Sequence, residues 1–269
     1  MIEIKKSYID THSGQMHYRY TEGKGLPLVL FHRTPSSSVM YERMMYELNG
    51  LRPIYALDTP GFGNSFNPEG MPSISNYRDW LCEAINALSI DSFHIYAHHT
   101  GTHFAAEIAL LWPERVQSLT LNGAAYFSYE ERELFFKNFT RVPNPDHSGK
   151  YLHERFTLIK SLFPVFDPEL VNLELIGALR SIEGRNQAFA SLKKQDFAQI
   201  LREVKCPILV MSAINDFFID KLKIIKKDIP SARIAELGKT LIASPELDTK
   251  KTIDLLIDFI EQRELRTKA

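Results

Sequence analysis

The feature that most constrains how this chain can fold is a junction between residues 93 and 113. The apolar run from Phe93 to Ala97 reads as a short buried strand. Phe104-Ala105-Ala106-Glu107-Ile108-Ala109-Leu110-Leu111-Trp112, closed by Pro113, carries a helical pattern. The turn between them is Ala97-His98-His99-Thr100-Gly101. So tight a turn strains its central residue and leaves no room for bulk on either flank. The small residues Ala97 and Gly101 therefore mark His99 as the apex.

The same alternation runs through most of the chain. Strands are predicted over 2–8 and 16–21, around the turn Thr11-His12-Ser13-Gly14, then over 27–31, 53–57, 93–97, 119–123, 207–212 and 232–237. Helices are predicted over 39–48 and 77–88, after the junction, and over 249–264, where Ile253, Leu256, Ile257 and Ile260 fall at core spacing. From 124 to 204 the alternation stops; this stretch is aromatic-rich and helical in pattern, broken at Pro143, Pro145, Pro164 and Pro168. Its Tyr126, Phe127, Phe135, Phe136, Phe139 and Phe156 are expected to pack within it, a few of them lining an apolar pocket. Strands separated by helices imply a mostly parallel sheet with right-handed crossovers and helices on both faces. Residues 1–123 and 205–269 are read as that α/β core, and 124–204 as an inserted helical cap over the carboxyl edge of the sheet.

Charge and composition exclude several roles. Lys and Arg number 32 against 33 Asp and Glu, a net charge of −1, which gives no general attraction to nucleic acid or anionic membrane. No apolar run approaches the ~18 residues of a membrane span. Met1-Ile2-Glu3-Ile4-Lys5-Lys6 lacks the apolar stretch of a signal peptide. Cys82 and Cys206 read as buried thiols of a reducing compartment, so a cytoplasmic protein is expected. A homodimer is left open.

Four features follow one another in order: a strand running into His32-x-x-Pro35, the loop Asp58-x-Pro60-Gly61-x-Gly63-x-Ser65, the junction at 97–101, and Asp216 after the seventh strand. Together they resemble the α/β-hydrolase fold, whose strand-turn-helix junction is the nucleophile elbow, usually Gly-x-Ser-x-Gly. The chain looks most like a subset with a His-His-Thr-Gly elbow. The resemblance spans nearly the full length and implies an eight-stranded sheet, a helical cap near 124–204 and a pocket between the two. In serine hydrolases of this fold the order is nucleophile, acid, histidine. Here His99 stands at the serine position and Asp216 matches the acid. The histidines are 12, 17, 32, 94, 98, 99, 103, 147 and 153, so the loop after the last strand, Gly238-Lys239-Thr240-Leu241, has Lys239 or a neighbour where the catalytic histidine belongs. An ordinary Ser-His-Asp esterase lacks two of its residues in this chain.

What chemistry survives is set by His99. An imidazole, with an ordinary pKa near ~6.5, exchanges protons near neutral pH. Asp216 would orient it, and a desolvated Lys239 could stand in as charge partner. The N–H of Thr100 and a main-chain N–H from the Arg33–Thr34 loop would form an oxyanion hole, at roughly 3–4 kcal/mol per donor. Arg33 favours an anionic substrate; His32 and His98 are the further substrate-side candidates. The expected activity is hydrolysis of a small ester, lactone or other carbonyl compound, without a dissociable cofactor. A cofactor-free lyase or isomerase, a silent small-molecule-binding protein, and a divalent-metal site from His99, His103 and Asp216 are the alternatives.

Overall fold

Each stretch predicted as a strand contributes to one sheet in the computed structural model, which describes residues 3–138 and 145–268. Ile2, Phe139 and Pro143 lie outside the described residues. The eight strands are β1 (Lys5–Thr11), β2 (Gly14–Thr21), β3 (Leu28–Phe31), β4 (Ile54–Leu57), β5 (Phe93–His98), β6 (Val116–Asn122), β7 (Ile208–Ala213) and β8 (Arg233–Leu237), in spatial order 1-2-4-3-5-6-7-8. β1 and β2 form an antiparallel hairpin, β2 joins β4 antiparallel, and β3 to β8 are parallel. Every residue of β3, β5 and β7 is buried, as expected for parallel strands covered on both faces.

The helices are α1 (Glu42–Leu48), α2 (Ile74–Ala87), α3 (Thr100–Leu111), α4 (Tyr129–Asn138), α5 (Lys150–Ser161), α6 (Pro168–Arg180), α7 (Ile182–Lys193), α8 (Phe197–Glu203), α9 (Lys221–Asp228), α10 (Ser244–Leu247) and α11 (Thr249–Lys268). The period of two along β3 divides them. Val29 and Phe31 face a core with Tyr77, Leu81, Phe104 and Ile225 from α2, α3 and α9. Leu28 and Leu30 face Met44, Leu48, Leu256 and Ile260 from α1 and α11. Each such side chain contributes about 1.5–3 kcal/mol on burial.

Several boundaries move for local reasons. β1 runs on to Thr11, because the turn itself needs just two residues before Gly14. α2 starts three residues early, at a capping box in which Ser73 and Asn76 satisfy each other's backbone N–H groups. The segment expected as one helix over 39–48 opens as a 3-10 turn at Ser38–Tyr41, with Ser37 accepting from the Val39 N–H at 3.5 Å. Helices α4 to α8 fill the interval between β6 and β7. Ile159, Phe163, Leu170, Val171 and Ala178 make a separate apolar cluster there. α8 instead joins the sheet's own core through Phe197, Ala198 and Leu201.

Candidate active site

β5 delivers the chain to the apex at the carboxyl edge of the sheet. His99 has φ 45° and ψ −111°, a conformation that costs a non-glycine residue about 1–3 kcal/mol and persists only where its surroundings over-determine it. They do: the His99 N–H donates to the Asn122 carbonyl at 2.8 Å, and the Thr102 N–H and hydroxyl donate to the His99 carbonyl at 2.9 and 2.6 Å. Gly101 is obligatory here, since a Cβ would collide with the Phe31 carbonyl oxygen. At Gly123, φ +67°, a Cβ would fall on the Nε2 edge of the His99 ring.

That edge faces Asp216. His99 Nε2 lies 2.8 Å from Asp216 Oδ2, and since a carboxylate accepts, Nε2 carries the proton and Nδ1 is left as the basic nitrogen. Asp216, just past β7, is fixed by the Phe218 N–H, which donates to Oδ1 at 2.8 Å. The Phe218 ring sits 5.3 Å from the imidazole. His99 and Thr100 line a cavity of about 370 Å³, walled largely by apolar side chains of the inserted helices, among them Phe135, Phe136, Leu162 and Phe189. Four arginines, Arg33, Arg132, Arg155 and Arg185, line it as well.

A protein-family model described as the alpha/beta hydrolase fold matches residues 27–237. The chain belongs to the α/β-hydrolase fold family. Among curated relatives, an uncharacterized hydrolase of Saccharomyces cerevisiae is 27% identical over 252 residues, covering 81% of this chain and 83% of its own. An (E)-2-((N-methylformamido)methylene)succinate hydrolase of Acinetobacter baylyi is 21% identical, covering 79% and 81%. The same fold appears in solved structures: a putative lipase from Acinetobacter baumannii (TM-score 0.83, 15% identity, 98% and 93% covered) and the enol-lactonase from Burkholderia xenovorans (TM-score 0.80, 17%, 95% and 100%).

Of the expected site residues, Lys239, His32 and His98 do not line the cavity, and Arg33 lines it with its guanidinium already engaged. Lys239 is exposed and does not line the cavity, because the loop after β8 is tied back by the Gly238 N–H donating to Asp248 at 2.7 Å. Arg33 lines the cavity, yet its guanidinium is committed: Nε and Nη2 grip Glu174 of α6 at 3.2 and 3.1 Å, and Nη1 pairs with Glu246 of α10 at 2.7 Å. Burial opposes its charge, but the two carboxylates outweigh that and hold Arg33 protonated. It joins the inserted helices to the core rather than reaching for an anion. His32 is spent on structure, its Nδ1–H donating to the Arg33 carbonyl at 2.8 Å and its Nε2 accepting from the Thr59 N–H at 3.0 Å. His98 is fully buried, with both ring nitrogens unpartnered among the described residues. Burial first, then His99 and Arg33, pushes its pKa well down, so it is a neutral ring packed edge-on against His99. Neither His32 nor His98 lines the cavity.

The two expected oxyanion donors are differently placed. Thr100 opens α3, where first-turn N–H groups have no intrahelical partner, but the Thr34 N–H is donated to Thr100 Oγ1 at 3.2 Å. The metal alternative loses its donor set. His103 Nδ1 is bonded to Gln195 Oε1 at 2.6 Å, and no group of three or more His, Cys, Asp and Glu at ligating distance forms among the described residues. Of the aromatic residues expected near the pocket, Phe127, Phe135 and Phe136 line it. Arg132, Arg155 and Arg185 were not singled out from sequence. Their signal is an arginine on a helix's apolar register: Arg155 stands four residues before Ile159, and Arg185 four before Phe189.

Proposed function

We propose that the protein hydrolyses a small ester or lactone using His99 as general base, with the inserted helices as the cap that encloses the substrate. The observation that carries this is the 2.8 Å contact between His99 Nε2 and a buried carboxylate, at an elbow facing a largely apolar cavity. Asp216 fixes the tautomer and supports the imidazolium that forms. His99 Nδ1 takes a proton from water as its oxygen adds to the carbonyl carbon. The resulting oxyanion accepts from the Thr100 N–H, at the positive end of α3, and from the Thr100 hydroxyl, which uses its lone pair toward Thr34. Collapse breaks the C–O bond, and the imidazolium returns the proton to the leaving alkoxide, giving acid and alcohol. The names of the yeast and Acinetobacter relatives, both hydrolases, support the reaction class.

A second reading, a binding protein without turnover, is favoured by the engaged Thr34 amide and by the outward Lys239. Assaying p-nitrophenyl esters and lactones with wild-type protein and H99A separates the two. Turnover lost in H99A supports hydrolysis; ligand-induced thermal shifts with no turnover in either protein support silent binding.

A further inference from the structure

Arg155 projects from α5 and is 2% exposed, yet its Nε and Nη2 have no hydrogen-bond partner among the described residues. Arg33 is buried just as deeply and shows what this fold does with such a group: its Nε/Nη2 edge holds both oxygens of Glu174. That edge presents two parallel N–H donors matched to the two oxygens of a carboxylate. On Arg155 the equivalent edge has no partner among the described residues, and burial pulls its pKa down. An isolated buried cation is costly in a protein, so it is retained where something else neutralises it.

The neighbourhood sharpens the case. Arg155, Arg185 and Arg132 come from three different inserted helices to one cavity, and no Asp or Glu lines it among the described residues. Arg155 and Arg185 are close enough that burial and then the charge of Arg155 lower Arg185 to about 10. Arg155 thus stands against phenylalanine and leucine walls where a bound anion would neutralise it. We infer that the cap half of this cavity is a carboxylate-binding site centred on Arg155, so that the ligand is an amphipathic acid: one carboxylate on an apolar body, its carboxylate at Arg155 and its other end toward His99. This deepens the reading above and rests on that cavity being where substrate enters. The Nε/Nη2 edge is shut from water, so the guanidinium must turn to meet its partner.

The test is calorimetric and needs no turnover. Wild-type protein is titrated with 4-phenylbutanoate and with its neutral isostere 4-phenylbutanamide. The acid should bind at least about tenfold more tightly, the value of a charge-assisted pair, and R155Q should abolish that preference while R155K keeps part of it. Equal affinity for acid and amide in the wild-type protein overturns the inference, even where R155Q fails to fold; so does an acid preference that survives intact in a folded R155Q. A protein that hydrolyses p-nitrophenyl butyrate but binds acid and amide alike keeps the hydrolase reading and loses this one. Acid preference without turnover of any ester does the reverse.

Discussion

Asp216 Oδ2 and His99 Nε2 stand 2.8 Å apart although 117 positions separate them in the chain. The acid position of the fold thus meets the apex residue directly, and in the proposed reaction the imidazole at the nucleophile's place acts as the base. Removing either partner should be felt in catalysis more than in folding. H99A should lower kcat for a p-nitrophenyl ester by about 10²–10⁴-fold, the usual range for a general base, with the thermal midpoint changed by a few degrees at most. D216N should lower kcat and alter its pH profile while leaving KM near wild type, because it disturbs the tautomer rather than the cavity wall. Steady-state kinetics over a pH series, alongside circular dichroism, read both.

Gly123→Ala tests the same contact from behind. The added methyl would meet the His99 ring at its Nε2 edge, at a backbone position with φ +67° that also disfavours alanine. The expected outcome is a loss of turnover approaching that of H99A together with about 1–3 kcal/mol of destabilisation. Urea unfolding and the ester assay should move together; wild-type turnover in a stable G123A would contradict the placement of the ring.

Arg33, Glu174 and Glu246 form a buried ionic group that ties α6 to the core. R33M strands two carboxylates out of water and should cost about 3–5 kcal/mol, measured by urea denaturation. The triple variant R33M/E174Q/E246Q removes the stranded charges and should recover a large part of that loss. A single variant no more destabilised than the triple would show that the pairing holds little of the insertion in place.

Acidification should weaken the fold through histidines that stay neutral inside it. Burial, reinforced by Arg52, pulls His94 down to about 4, and burial with His99 and Arg132 does the same for His103. The unfolded chain takes up these protons near pH ~6.5, whereas the folded protein resists them until about 4. The stability is therefore fully present above ~6.5 and is lost as pH falls toward about 4, by up to about 3 kcal/mol per histidine. Urea midpoints at pH about 7, about 5.5 and about 4.5 should fall in that order, and H103N should flatten the decline. An unchanged midpoint across the series would show that these rings are already solvated.

Lys239→Ala should change neither ester turnover nor stability beyond about 0.5 kcal/mol, because the side chain is exposed and away from the cavity. A large loss of activity would return this lysine to the site.

The sequence alone determined the sheet and its crossovers. Apolar runs such as those of β3 and β7, set between helical periods, leave one economical way to bury both faces, and Ala97 and Gly101 mark the sharp bend, although the clash that requires Gly101 is with the Phe31 carbonyl of the neighbouring strand. It also determined that an imidazole stands at that bend. Which charges meet which was decided by tertiary structure. The sequence offers Arg33 to an anionic substrate and Lys239 as a charge partner of Asp216, yet Glu174, 141 positions away, claims the first, while the return of the chain to Asp248 turns the second outward. Arg155 is not singled out by the sequence, and its lack of a carboxylate partner among the described residues is a property of what packs around it. Electrostatic partners are chosen across space, after the backbone has closed, whereas periodicity is written between neighbours in the chain.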